Sequence, residues 1–246
     1  MNMLLTLAAL FFIGSVAGWV LELIFRNVVH HSKKWINPGF CTGPYVPLYG
    51  FGLCTLFLVA SLGEKNPIAD PVWNKIVIVL VMAVSMTLIE YIAGIFCLKY
   101  LKVRLWDYSK MWGNIQGIIC PAFSLAWGVL GAVYYFFVHP YIMNMLAWLS
   151  RNLAFSFFIG MFFGVFIIDV VHSANLAVKL KDFAEEHKLV VRYEGIKDHL
   201  RSLQAAKKNK LQFFQPFRSE KPLREHLNEM YGFREFPRKY PKHKKK

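Results

Sequence analysis

Five apolar stretches dominate this 246-residue chain. Four run well past the roughly 20 residues needed to cross a bilayer, and the fifth is near that length. Hydrocarbon offers no water to an exposed backbone, so each crossing must satisfy its own N–H and C=O groups as a helix. The predicted spans are Met3 to Phe25, Tyr45 to Leu62, Trp73 to Leu98, Ile115 to Val138 and Leu153 to Val178. Composition agrees: 56% hydrophobic, 16% aromatic and only 18% charged residues argue against a disordered chain and against a soluble enzyme. The expected fold class is all-α, a polytopic membrane helical bundle with five predicted transmembrane helices.

Pro44, Pro47 and Gly50 crowd the start of the second span, which reads as a broken or re-entrant segment. The first apolar run lacks a preceding basic residue and is too long for a cleavable signal peptide, so it is expected to remain as a span. Charge divides the chain in two. Residues 179–246 hold 19 Lys and Arg against 9 Asp and Glu, a net +10 of the total +14. The expected domains are a transmembrane unit over 1–178 and a basic tail over 179–246, helical at its start as far as about Lys208.

Arg26, Lys33 and Lys34 follow the first span, and Lys99, Lys102, Arg104 and Lys110 follow the third. The tail follows the fifth. These basic connections predict an outside N-terminus, with the first and third loops and the C-terminus in the cytoplasm. Trp35, Trp73, Trp106, Trp112 and Trp148 fall at predicted helix ends or in loops, where amphipathic rings favour the headgroup region. Cys41, Cys54, Cys97 and Cys120 form no C-x-x-C pair and read as packing residues.

Acidic residues inside spans carry the sharpest signal, because a carboxylate at mid-bilayer costs about 3 kcal/mol or more unless it faces protein or water. There are three: Glu22, Glu90 and Asp169. Glu90 and Asp169 are the preferred pair for an ion or substrate path, with Glu22 third. Gly14 and Gly18 share a helix face with Glu22, and His172 and Ser173 share one with Asp169. Each carboxylate has a competing packing role: Glu22 can pair with Arg26, one turn on, and Glu90 or Asp169 can be tied to a neutral donor. His172 is equally readable as an ordinary helix-end histidine.

The loop Asn37 to Gly50, rich in Pro and Gly, has the composition of irregular backbone at membrane depth, or of a tight connection. Asn37 and Tyr49 there, Asp107 in Trp106-Asp107-Tyr108-Ser109, and Trp127 complete the candidate path residues. A weak repeat underlies them. Glu22, a Gly-rich loop and Tyr49-Gly50 recur as Glu90, a Gly-rich loop and Trp127-Gly128, with Gly39 to Tyr49 and Gly117 to Trp127 equally spaced. Chance is the alternative, since Gly and aromatics are abundant.

Nucleotide, nucleophile and metal-ligand motifs are missing, so no cofactor, no metal and no enzymatic step are expected. The basic, Phe-bearing tail suits anionic lipids in the bilayer better than nucleic acid.

These motifs together resemble the ABC transporter permeases called type IV or CmpB-like, small bacterial membrane proteins. The resemblance rests on Gly18-Trp19 with Glu22, the Asn37 to Gly50 loop, Glu90, Trp106 to Ser109, and Gly117 through Ser124 to Trp127-Gly128. It covers roughly residues 1–178 and implies a multi-pass protein of the bacterial inner membrane. It further implies a transport role, with a separate cytoplasmic ATPase subunit as partner. A homo-oligomer is also expected, since five helices enclose little volume. Two other readings stay open: a membrane-embedded enzyme acting on a lipid or prenyl substrate, and a non-transporting accessory or sensor protein.

Overall fold

The computed structural model describes residues 2–29, 37–65, 70–193, 195–197 and 222–232, without the side chains of residues 28 and 29. The predictions at Lys33 to Trp35 and on the tail's basic residues at 238–246 lie outside the described residues. Five helices are long and apolar enough to cross a membrane. They are α1 (Met3–Val29), α2 (Pro47–Lys65), α3 (Pro71–Tyr100), the joined pair α4 (Pro121–Val133) and α5 (His139–Arg151), and α6 (Ser156–Glu186). A short α7 (Leu223–Tyr231) belongs to the tail.

Local chemistry explains where these helices start and where the predicted bounds shift. Asp70 caps α3, accepting from the Val72 and Trp73 amides at 2.7 and 3.1 Å, with Pro71 in the first turn where no N–H is needed. The second span is not broken: Pro47 sits at the first helical position, where its ring is tolerated, and α2 runs on without interruption. The fourth span starts at Pro121 rather than Ile115, and residues 115–119 instead close on themselves as an Ile115–Ile119 bridge. It also continues past Val138 to Arg151. Pro140 has no N–H to offer the ladder, and the helix widens into a π-turn at Tyr134–Val138 just before it. His139 Nδ1 lies 2.9 Å from the Tyr134 hydroxyl across that turn.

The central core joins α1 through α5 by Leu10, Leu56, Phe57, Met82, Met86, Trp127, Ile142 and Leu146. Helix α1 lies against α2, and α3 against α4. Helix α6 stands outside this group and meets α1 along an aromatic seam, with Phe11–Phe163 and Phe12–Phe162 ring centroids 5.7 and 4.6 Å apart. Exposed Leu80, Val84, Leu88, Ile92 and Phe96 recur at near-helical spacing on α3, the outward stripe that a lipid-facing helix requires.

The helix leaving the fifth span does not reach Lys208. It passes residue 178 unbroken but ends at Glu186, where Lys188 turns to φ +53°. The chain then runs as a strand, β2 (Val191–Arg192), parallel to β1 (Val103–Arg104) in the third loop. β-branched valines at 103 and 191 suit this pairing, and both are buried. Leu180, Phe183, Val191, Tyr193, Ile196 and Leu227 close a second core over Val103. The first loop, the third loop and the tail therefore share one end of the bundle, as five crossings require.

Candidate functional site

Glu22 and Glu90 occupy the same place in two helical hairpins. In the first, α1 packs on α2 so closely that a methyl at Gly18 would overlap the Tyr49 ring. That approach brings the Tyr49 hydroxyl to Glu22 Oε2, to which it donates at 3.0 Å, while Arg26 Nε meets Oε1 at 2.8 Å. In the second, α3 packs on α4, and Trp127 Nε1 donates to Glu90 Oε2 at 2.9 Å. The other oxygen, Oε1, accepts from the Tyr108 hydroxyl at 3.0 Å. Glu90 is only 3% exposed, whereas the Glu22 side chain is 23% exposed.

The two hairpins meet at their aromatics. Tyr49 and Trp127 have ring centroids 5.6 Å apart, so a chain of contacts runs from Arg26 through Glu22, Tyr49, Trp127 and Glu90 to Tyr108. Tyr108 is placed by its third loop. Its amide donates to Gly117 O at 2.8 Å, and its ring stacks on Phe123 at 4.3 Å. Burial, and then the neighbouring Glu90 carboxylate, push its phenol well above the usual tyrosine range, so it stays a donor.

Asp169 does not join this chain. On α6 it faces the first loop, where it accepts from the amides of Thr42 and Gly43 at 3.1 and 2.7 Å, from Tyr45 OH at 2.5 Å and from Ser173 Oγ at 3.2 Å. Burial and then this contact push the Tyr45 phenol upward. Glu90 is thus coupled to Glu22, not to the Asp169 with which sequence position paired it. Depth is legible in a sequence, but the direction of one helix relative to another is not.

The remaining candidates separate. Asn37 is buried beneath the first loop, accepting from Trp19 Nε1 at 2.6 Å and donating to Thr42 O at 2.6 Å. Asp107 binds the tail, with Arg192 at 2.9 Å and Arg104 at 3.2 Å. The Ser109 hydrogen bond, ahead of these two guanidinium groups, holds its carboxyl below the ordinary value of 3.8. His172 is exposed on α6, and Gly160 and Gly164 have no neighbour where a methyl would stand. The four cysteines are free thiols, and burial pushes Cys41 up to about 12. Among the described residues no three His, Cys, Asp or Glu side chains group as metal ligands. A small pocket lies beside the third loop, lined by Gly94, Leu98, Arg104, Leu105, Trp106 and Ile118, and it touches none of the three carboxylates.

Sequence reasoning passed over Tyr108, Tyr45 and Lys197. Tyr108 had a signal, since it sits in the same Trp-Asp-Tyr-Ser run as Asp107. Lys197, whose Nζ donates to Asn37 O and Gly39 O, had none, being one of many cations in a basic tail.

A five-span helical bundle with carboxylates buried between its hairpins defines a multi-pass membrane protein. Residues 9–174 match the family described as "Putative ABC-transporter type IV", and the chain belongs to that family. The match ends inside α6, so the tail lies beyond it. No curated protein and no solved structure matches the chain.

Proposed function

We propose that this transport-related membrane protein is a permease subunit, and that the Glu22–Tyr49–Trp127–Glu90 chain forms part of a cation or proton path. The observation that carries the reading is the convergence of two carboxylates from separate hairpins on one aromatic pair. Buried charge is costly and is ordinarily kept where it meets an ion, a proton or a partner. Glu22 already has a cation in Arg26. Glu90 is held by two neutral donors, and it is the group that receives a proton or a small cation and passes it on.

On the basic-loop rule, the end holding these carboxylates faces the cytoplasm. Asp169 serves by fixing the first loop beside this path, and Asn37 and Asp107 hold the two loops in place. The chain performs no chemical step of its own. A separate ATPase couples energy to it from the loop end, and a second copy completes the enclosure that five helices leave open.

Proteoliposome flux of H+, Na+ and K+ tests the path. Glu90→Gln keeps the Trp127 and Tyr108 neighbours but removes the charge, and it is expected to abolish flux while leaving helix content unchanged. Full flux in both Glu90→Gln and Glu22→Gln removes the carboxylates from the mechanism. Gentle extraction that recovers no ATPase with the protein counts against the coupled version.

A further inference from the structure

The first loop is gripped from two sides by opposite charges. Asp169 takes the amides of Thr42 and Gly43, while Lys197 Nζ takes the carbonyls of Asn37 and Gly39 at 3.0 and 2.7 Å. Lys197 is only 3% exposed, and its Nζ lies 4.6 Å from the centre of the Tyr193 ring. We propose that residues 37–43 form a binding site for a monovalent cation of ammonium or potassium type, which the chain fills with the ammonium of Lys197.

The cage has supports other than the lysine. Asn37, 1% exposed, is anchored to Trp19 of α1 and braces the Thr42 and Cys41 carbonyls with its amide. Thr42 and Gly43 are held from α6 by Asp169. Gly39, at φ +85°, turns its carbonyl toward the same point as that of Asn37, a conformation that only glycine adopts without strain. Converging carbonyls replace the hydration shell of a monovalent cation, and an aromatic face adds attraction for ammonium and potassium alike. Divalent cations usually demand carboxylate ligands, whereas what the loop offers Nζ is the carbonyls of Asn37 and Gly39.

Cage and occupant also differ in where they belong. The loop carbonyls lie within the stretch that matches the family, and Lys197 and the Tyr193 ring lie in the tail beyond it. The tail's hold on the loop also includes Tyr193 OH to Phe40 O at 3.0 Å, so a free cation that takes the cage competes with tail docking. Competition for one site links the two equilibria: whatever fills the cage disfavours the docked lysine, and the reverse holds equally.

The experiment uses full-length protein in nanodiscs, wild type and Lys197→Ala, followed by thermal unfolding in potassium, methylammonium or choline chloride at equal ionic strength. The variant is expected to gain a saturable rise in Tm with potassium and methylammonium but not with choline, whose quaternary head has no N–H and is too large. Wild type, with its cage filled, is expected to gain little. Equal effects of choline, an equal response in wild type, or no response in the variant overturns the proposal. Should Lys197→Ala fail to fold on its own, purification in methylammonium must recover it, and failure of that rescue also overturns the proposal. No flux is measured, so this result and the fate of the carboxylate path are read separately.

Discussion

The hairpins α1–α2 and α3–α4 place their carboxylates in the same register but distribute their small residues differently. In the first, small residues stand on both helices: Gly14 and Gly18 of α1 admit Leu53 and Tyr49 of α2, and Gly50 of α2 lies against Phe11 and Ser15 of α1. In the second, the leading helix carries Met82 and Met86 at the corresponding positions. There the space is made on the following helix, where a methyl at Gly131 would lie 3.0 Å from Met82 Cβ. Gly39 and Gly117, at equivalent places in the two loops, both adopt left-handed backbone, at φ +85° and +68°. Close approach is therefore retained with glycines on both helices of the first hairpin and on the following helix in the second. Electrostatics differ too, since Glu22 meets a guanidinium and Glu90 meets two neutral donors. Two similar scaffolds thus hold one carboxylate beside a permanent cation and the other between two neutral donors.

The largest expected loss comes from Trp127→Ala, which empties a core position and strips a donor from Glu90. About 3–5 kcal/mol is expected from the cavity, measured by unfolding in mixed micelles. Gly18→Leu should cost about 1–3 kcal/mol by forcing Tyr49 aside, whereas Gly160→Leu, with nothing beside it, should leave Tm unchanged. Equal losses at both glycines would mean that hairpin packing is not what Gly18 provides. Tyr49→Phe keeps the ring against Gly18 and Trp127 and removes only the hydroxyl, for about 1 kcal/mol. Arg26→Gln is expected to cost less still, under about 1 kcal/mol, because the pair is partly exposed and one turn apart.

Acid should loosen the tail's hold on the third loop. The folded carboxyl of Asp107 titrates below its ordinary 3.8, so the stabilisation it contributes is complete above that value and drains away as pH falls through the lower, folded one. Hydrogen exchange at Val191 and Arg192 is expected to accelerate below about pH 4, with Asp107→Asn showing the fast rate already at neutral pH. A tail that stays protected in both cases would show that the Val103–Val191 pairing and its apolar cover hold it without the ion pairs.

Much of the site was legible in the chain because intramembrane carboxylates are rare and costly, so Glu22, Glu90 and Asp169 declare themselves. The weak repeat put Glu22 with Tyr49 and Glu90 with Trp127 in matching units, but that each aromatic touches its acid was shown only by the structure. Pairing was less visible. Asp169 and Glu90 lie at similar depth, yet α6 turns its carboxylate toward the first loop and not toward the hairpin core. The end of α6 was misplaced because Leu180, Phe183 and Ile196 suit both a continuing helix and the closed cluster over Val103.

Span number and helical class followed from the chain by itself, since a backbone in hydrocarbon has few ways to satisfy its hydrogen bonds, and apolar length reports that directly. Which carboxylates meet, and the docking of Lys197 at residues 37–39, were decided only by the tertiary structure. Both depend on the rotation and approach of helices far apart in sequence, and those are set by small residues such as Gly18 and Gly131 whose partners no local pattern names.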